Sequence, residues 1–439
     1  MTRVNVRVVL LLWSLIPGVT ASFGQRVLTL AECYESACSA SPVAGEKEVH
    51  AAVWQLKDAS LAKGWLPSLD ASGNVVYNSS VVDLSGVLGS LPIPGIGSLI
   101  SPMPHEQYKV NLEINQMIYD GGAVKGARAL EKATLDISMK QTEADLYALR
   151  SQINSIYFNL LLLDRQRELL STYLEIITKR ITSLGSAVEN GLLLPSGIDV
   201  LSSEKLRLEQ QLTENRIRNS SLLRILSDLT GIETDTTTVL TLPRVENSLT
   251  REISRPELEI FDLKKEQLEA SQKVIGSKGK PKAFGFATLG YGNPPGSNFF
   301  KDEFAPYYIV GAGVKWTIWD WEKVKNEKKV VAHQQELLEG RKQDLTANLE
   351  RLLVAKSAEI SSLEALVATD AGIIGLRKKI TAAAESQYAN GTITATDYLN
   401  ELNAEKQALI NHEIHKISLV MARVEYLNIS GVQLNTSNR

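Results

Sequence analysis

Cysteine is almost missing from this chain of 439 residues: Cys33 and Cys38 are the only two. Two thiols cannot supply the several bridges of a disulfide-built domain. On one helix, their five-residue separation would also set the Cα atoms too far apart to bridge easily. Both are read as buried or free thiols. Aromatics make up only 6% and the net charge is −3, so nothing electrostatic points to nucleic acid. No apolar run of about eighteen residues follows the N-terminus, which excludes a transmembrane helix from the mature chain. There is no phosphate-binding glycine loop, nucleophile elbow or cysteine metal motif. Among the five histidines, His412 and His415 stand three apart, a helical spacing that can bind metal. It is not the i, i+4 spacing of a zinc protease helix, and a solvated or interhelical role is expected. No catalytic residue, cofactor or metal is expected, and the chain is not read as an enzyme.

The N-terminus carries an address. Arg3 and Arg7 precede the apolar run Val8 to Ile16, Pro17-Gly18 breaks it, and Val19-Thr20-Ala21 offers small residues for cleavage. Residues 1–21 read as a secretory signal peptide; a short buried helix would leave the basic head without a purpose. Leu30-Ala31-Glu32-Cys33 matches a lipidation box only loosely, because a charged residue precedes the cysteine and the apolar run lies well upstream.

What the chain has in quantity is helical periodicity. Between Asp120 and Gly191, Leu146, Leu149, Ile153, Ile156, Leu160 and Leu163 step by 3, 4, 3, 4, 3. The phase resumes at Leu170, Leu174, Ile177, Ile181 and Leu184, and only Arg167 interrupts it. Alternation of 3 and 4 is the heptad signature of helices packed side by side. At 1.5 Å per residue the segment makes a rod of roughly 105 Å, and a second rod is expected from Trp321 to Asn390.

The chain is also written twice. Ser41-Pro42 and Arg255-Pro256 each open a helix 214 residues apart, and Pro67…Tyr77 and Pro281…Tyr291 bracket strands at the same offset. The offset then becomes 200: Tyr108 answers Tyr308, Ile118-Tyr119-Asp120 answers Ile318-Trp319-Asp320, Asn190-Gly191 answers Asn390-Gly391, and Thr230-Gly231 answers Ser430-Gly431. The shift falls in a Gly/Pro-rich loop, where length changes are tolerated. Each copy reads helix, strand, loop, strand, very long helix, turn, long helix. The expected organisation is residues 22–231 for the first copy, with strands near 67–78 and 107–119 and a helical hairpin at 121–229. A linker at 232–253 follows. The second copy is 254–431, with strands near 281–292 and 306–319 and a hairpin at 321–429, and 432–439 form a tail. Within this scheme Pro42 to Gly64 is an amphipathic helix, Ser254-Arg255-Pro256-Glu257 fits a capping box, and Lys205, Asn215 and Asn219 make a wetter seam suited to a helix that lines water.

The strands alternate strictly in the first copy. Leu69, Ala71, Gly73, Val75 and Tyr77 oppose Ser68, Asp70, Ser72 and Asn74, while Tyr108, Val110, Leu112 and Ile114 oppose Lys109, Asn111 and Glu113. The second copy is softer: Gly311 and Gly313 dilute the polar face and Phe284 and Phe286 blur the third strand. A half-buried sheet of a soluble protein alternates in the same way. These strands are about ten residues long, the length that crosses an outer membrane. Tyr77, Tyr108, Tyr291, Tyr308, Trp316 and Trp319 stand at their ends, where an aromatic girdle lies. Four strands cannot close a membrane barrel, which starts at about eight, so strands that cross a membrane must be pooled among chains.

In this ordered set of pairs the chain resembles the TolC-type outer-membrane efflux and secretion channels, the outer membrane efflux protein family. The most specific marks are the turns Asn190-Gly191…Asp199-Val200-Leu201 and Asn390-Gly391…Asp397-Tyr398-Leu399. The resemblance implies an α+β membrane protein with long antiparallel helical coiled-coil hairpins and four transmembrane β-strands per chain. It implies a homotrimer whose strands close a twelve-stranded barrel, continued by an α-helical periplasmic tunnel. The implied role is the passive exit duct of a tripartite efflux pump or type I secretion system, in outer-membrane lipid, with a periplasmic adaptor and an inner-membrane transporter as partners. The turns that would meet the adaptor are Gly191, Leu192, Pro195, Gly391, Thr392 and Thr394. Asp397 matches an acidic position of the family's periplasmic aperture, Asp199 is its counterpart in the first copy, and the next acidic position is Asn400 here. Ile393 stands near a place where the family can carry an arginine, so the same ionic latch is not expected. A competing reading is a periplasmic coiled-coil adaptor or scaffold, which also uses long hairpins but does not need paired alternating strands with aromatic ends.

Overall fold

The computed structural model describes residues 26–82, 103–189, 195–245, 251–298 and 301–432. The expected signal peptide, the turn residues Gly191 and Leu192, most of the first interstrand loop and the tail lie outside them. The described chain divides into two compact units, and each is best taken by itself.

One unit spans Ala37–Gln152, Val245–Leu366 and the residues from Met421 onward. It opens with a 3-10 turn at Pro42–Gly45, helix α2 (Glu46–Ala62) and a second 3-10 turn at Lys63–Trp65. The single helix expected from Pro42 to Gly64 is thus tightened at both ends. Strand β2 (Ser68–Tyr77) and strand β3 (Glu106–Tyr119) follow. The long helix α3 (Ala123–Glu189) begins here. The second copy repeats the order with α5 (Pro256–Lys278), β5 (Lys282–Asn293), β6 (Ala305–Lys315) and α6 (Lys323–Ala389). Helices α3 and α6 each hold 67 residues and start 200 residues apart.

The strands form one antiparallel sheet in the order β2-β3-β5-β6. Strand β6 ends at Lys315, short of the Trp319 expected from the sequence. The reason lies in its neighbour: Lys315 pairs with Lys282, the first residue of β5, so the residues beyond have no ladder to join. The Trp316 indole N–H donates instead to the Gly279 carbonyl at 3.1 Å. Strand β3 slips register between Met117 and Tyr119, a bulge that brings Tyr119 opposite Ala283. The expected capping box at Ser254 does not form. Arg255 is the N-cap of α5 and makes no side-chain cap bond; its guanidinium pairs with Glu257, and the Ser254 N–H donates to the Ser430 carbonyl at 2.7 Å.

The other unit holds the chain up to Ser36, Ile153–Arg244 and Val367–Val420. It contains β1 (Val27–Leu28), the start of α1 (Leu30–Ala40), the later part of α3, α4 (Pro195–Thr230), β4 (Val239–Leu240), the end of α6 and most of α7 (Ala395–Ser430). Helices α4 and α7 have 36 residues each. The heptad positions do the packing: Leu170, Ile177, Leu184, Leu201 and Leu208 are buried with Tyr388, Tyr398 and Leu402, while Leu174, Ile181 and Leu212 pack on their rim. Burying each such side chain contributes about 1.5–3 kcal/mol. Arg167, the interruption in the seam, is exposed and pairs with Asp164. The wetter seam of α4 is a different matter: Asn215 is only 4% exposed, and its amide donates to the Leu163 carbonyl at 3.0 Å. It ties two helices rather than lining water.

Strands β1 and β4 form a short parallel pair that no periodicity announces, because two residues are too few to show one. The fully buried Tyr157 fastens it. Its hydroxyl lies 2.9 Å from the Leu28 carbonyl and 2.6 Å from the Thr241 carbonyl, and it accepts from the Thr241 N–H at 3.1 Å. Burial raises the Tyr157 phenol far above its usual range, so it stays a donor. Cys33 is buried with its thiol pushed up to about 12 by desolvation, and neither cysteine is bridged.

Candidate functional site

Register decides which side chains share a face of the sheet. Val75 pairs with Tyr108, Val110 with Tyr291, Leu112 with Leu289, Leu289 with Tyr308 and Ala287 with Val310. Cross-strand partners point the same way, so these residues form one continuous apolar face. It is uncovered: Val75 is 71% exposed, Tyr308 77%, Val310 74% and Val314 73%. A contiguous exposed apolar surface of this extent marks an interaction with another apolar medium. The opposite face carries Asp70, Ser72, Asn74, Asn111 and Glu113, where Ser72 donates to Glu113 at 3.1 Å. The softened pattern of the second copy has a steric cause. A Cβ on Gly311 would come within 2.5 Å of the Phe286 ring, and one on Gly313 within 2.7 Å of Phe284. The two rings lie across the two glycines of the adjoining strand.

Aromatics stand at both ends of this sheet. At one end Tyr291 stacks on Phe304 with centroids 6.0 Å apart, Tyr108 meets the same ring at 5.9 Å, and Tyr77 stacks on His105 at 6.0 Å. At the other end Trp316, Trp319 and Trp321 are exposed. Strands β2 and β6 are the outer strands, and among the described residues neither has a partner on its free side. Each lost ladder bond costs several kcal/mol in lipid.

The passages from strand to long helix are built alike. Asp120 accepts from the Gly122 N–H at 2.7 Å and the Val124 N–H at 2.5 Å, and Asp320 accepts from the Val324 N–H at 2.9 Å. Each carboxylate satisfies N–H groups that a helix start leaves unpaired. Two left-handed residues follow in both copies: Gly121 and Gly122 at φ 74 and 91, and Trp321 and Glu322 at φ 55 and 60. The sequence pairing of Ile-Tyr-Asp with Ile-Trp-Asp located these passages but did not reveal the backbone shared by Gly-Gly and Trp-Glu.

At the far turn, Gly391 at φ 71 lets α6 stop, with its N–H on the Tyr388 carbonyl at 3.0 Å. The Thr392 N–H and hydroxyl both donate to the Gln387 carbonyl, at 3.0 and 2.9 Å. Thr394 and Asp397 form a reciprocal capping box at the start of α7. The Asp397 N–H donates to the Thr394 hydroxyl at 3.2 Å, and the Asp397 carboxylate accepts from the Thr394 N–H at 3.0 Å and its hydroxyl at 2.7 Å. These bonds, the hydroxyl's first, hold the Asp397 carboxyl below its usual range. Asp397, Asn400 and Asp199 are all exposed. Pro195 opens α4 and Ala395 opens α7, so Asp199 is the fifth residue of its helix and Asp397 the third. Counted from the helix starts, the counterpart of Asp397 is Gly197, and the match read between the two aspartates does not carry into the helices. Behind the turn, Tyr388 stacks on Tyr398 at 5.5 Å, Arg180 lies over Tyr398 at 5.5 Å and pairs with Glu385, and Arg377 reaches Glu401 at 3.2 Å. His412 and His415 turn to Asp370 on α6, with Nδ1 of each 3.4 and 2.8 Å from its Oδ2. Their role is interhelical. Among the described residues no helix is long and apolar enough to cross a membrane.

Residues 46–195 match the family model described as outer membrane efflux protein, and the family read from the duplicated turns is the one found. No curated protein matches the sequence. The fold is similar to solved outer-membrane channels. Against CusC the TM-score is 0.69 at 10% identity, covering 92% of each chain. Against the Campylobacter jejuni channel CmeC it is 0.61 at 15% identity, covering 93% of this chain and 87% of that one. Against the open-state Neisseria gonorrhoeae channel MtrE it is 0.65 at 13% identity, covering 93% and 90%.

Proposed function

From an outer membrane efflux protein domain at residues 46–195, we propose that the chain is the exit duct of an export system in the outer membrane. The observation that carries this is the sheet: one face apolar and bare, the other polar, and both outer strands unpaired. A lipid-exposed strand must have its backbone bonds satisfied, which only a closed barrel achieves. Pooling the sheets of three copies gives twelve strands, with the apolar faces outward and the polar faces lining a lumen. The Tyr77, Tyr108, Tyr291 and Tyr308 set and the Trp316 set then lie at the two membrane interfaces. The long helices continue the lumen as a periplasmic tunnel. The turns at Gly191, Leu192, Pro195, Gly391, Thr392 and Thr394 meet a periplasmic adaptor, and an inner-membrane transporter supplies the energy. Conduction through the chain itself is passive. The two copies occupy the spans 22–231 and 254–431 read from the sequence.

Two measurements test this. Membrane fractionation followed by native mass spectrometry is expected to find a detergent-requiring trimer in the outer membrane; a soluble species would favour the scaffold reading, and a dimer or tetramer would contradict the twelve-stranded barrel and the family reading. At the turn, Asp397, Asn400 and Asp199 are the candidates for the aperture, where carboxylates around a three-fold axis attract cations. Asp397→Ala is expected to lower cation selectivity in single-channel recordings at neutral pH, and unchanged conductance and selectivity would take Asp397 out of the aperture.

A further inference from the structure

The polar face of the sheet is divided. Its first half places Asp70 opposite Glu113 among serines and asparagines. Its second half places Lys282 opposite Lys315. Like charges directly opposite one another destabilise a ladder. The nearby Lys278 and Lys325 are paired, with Glu327 at 2.7 Å and Glu322 at 2.7 Å. Lys282 and Lys315 have no ion pair among the described residues.

Side chains two apart on a strand share a face. Phe284 and Phe286 therefore follow Lys282, and Gly313 and Gly311 precede Lys315. The two phenyl rings, with centroids 6.4 Å apart and planes at 35°, lie across those glycines. The patch is an aromatic floor with two ammonium groups at its border that have no ion pair among the described residues, on the end of the sheet where the helices attach. The first half of the sheet is different: Asp70 accepts from the Ser68 hydroxyl at 3.1 Å and Glu113 from Ser72 at 3.1 Å, and the ring that reaches it, Tyr307, is held by its hydroxyl on Asn111 at 2.6 Å.

We infer that Lys282, Lys315, Phe284 and Phe286 form a docking site on the transport path for small anionic amphiphiles. A carboxylate or sulfonate head meets the two ammonium groups, which relieves their mutual repulsion, and a flat apolar body rests on the phenyl rings. Charged hydrogen bonds and apolar area act together there. An inorganic anion would use only the lysines, and a neutral apolar molecule only the rings. The inference rests on the duct reading, which makes the polar face the lining of the lumen.

The test is current block in planar lipid bilayers containing the full-length protein. The probes are naphthalene-sulfonate, naphthylmethylamine as the same ring with opposite charge, and methanesulfonate as the same head without the ring. Naphthalene-sulfonate is expected to block at concentrations roughly tenfold lower than either control, the scale of one charged hydrogen bond. Lys282→Gln with Lys315→Gln removes that advantage, and Phe284→Leu with Phe286→Leu reduces it. In unaltered protein, about 1 M KCl, where the screening length is about 3 Å, weakens the block. That series and the single variant Lys315→Gln decide the matter if the double variant does not insert. Equal block by the amine or by methanesulfonate, or block untouched by salt and by Lys→Gln, overturns the site. Channels that conduct without discriminating remove this inference alone. A protein that forms no channel in any bilayer removes the duct reading, and this inference with it.

Discussion

The two strand-to-helix passages solve one geometric problem with opposite residues. Both need two consecutive left-handed residues after an aspartate. The first copy uses Gly121-Gly122, the second Trp321-Glu322. Glycine enters that region without penalty, whereas an L side chain costs roughly 1–2 kcal/mol there. The choice follows the surroundings. A Cβ on Gly121 would stand 2.9 Å from the Lys280 Cβ and 3.0 Å from the Ser277 carbonyl, so the passage is closed to side chains. Trp321 is 83% exposed, and among the described residues its ring meets only Trp319, edge to face with centroids 5.9 Å apart. Inside the sheet the first passage is followed by another strand; the second is followed by none. The difference shows where the chain completes itself and where it is left open.

Substitutions sharpen that contrast, and the largest effect is expected where the copies are tied. Lys406 and Glu204 are both buried and lie 3.2 Å apart. Removing one partner of a buried pair costs about 3–5 kcal/mol, whereas replacing both with apolar groups is about neutral. Lys406→Ala should therefore lower denaturation midpoints sharply, and Lys406→Met with Glu204→Leu should restore them. Burial pushes the Lys406 ammonium below its ordinary range. The folded state thus holds fewer protons than the unfolded one between that lowered value and about 10.5, and this residue's share of stability rises with pH across the window. The double variant lacks the ammonium and should lack that rise; an unaltered protein with a profile equally flat would contradict the burial.

Next come the passages themselves. Gly121→Ala should cost more than about 2 kcal/mol, since strain and contact add. Trp321→Gly should gain about 1 kcal/mol in the detergent-solubilised protein. A loss at Trp321 would mean that the contacts of the indole, with Trp319 or within the assembly, outweigh the strain. Smaller still are the caps. Asp120 makes two bonds and is buried, while Asp320 makes one. Alanine should cost about 1–2 kcal/mol at Asp120 and about 0.5–1 kcal/mol at Asp320, measured by thermal unfolding. Equal losses would show that burial does not distinguish the two copies. The smallest effect is expected at Asp397. Its carboxyl titrates below the usual range, so its contribution is present above the ordinary carboxylate pKa and fades as pH falls through the lowered value. Asp397→Asn should flatten the acid limb of stability slightly, and an unchanged limb would set the capping box aside.

The unequal copies also show what a pattern can carry. Heptads at Leu170, Ile177 and Leu184, and alternation at Val110 and Leu112, are visible because packing against a neighbour repeats with the backbone period. The pattern makes strand β6 four residues too long, because it runs on to Trp319 while its ladder partner stops at Lys282. Pairing depends on another segment, which periodicity does not see. The capping box expected at Ser254 failed for a similar reason: the Ser430 carbonyl, far away in the chain, takes its N–H.

By itself the sequence determined the duplication, the rods and the two-faced strands, because each is a local period or an ordered set of short matches. Only the tertiary structure decided that Asn215 is buried, that Phe284 and Phe286 lie across glycines of the next strand, that Lys282 faces Lys315, and that Trp-Glu adopts the backbone of Gly-Gly. Those facts belong to register and to contacts between distant segments. No stretch of residues specifies them alone, since the energy of a contact depends on both of its sides.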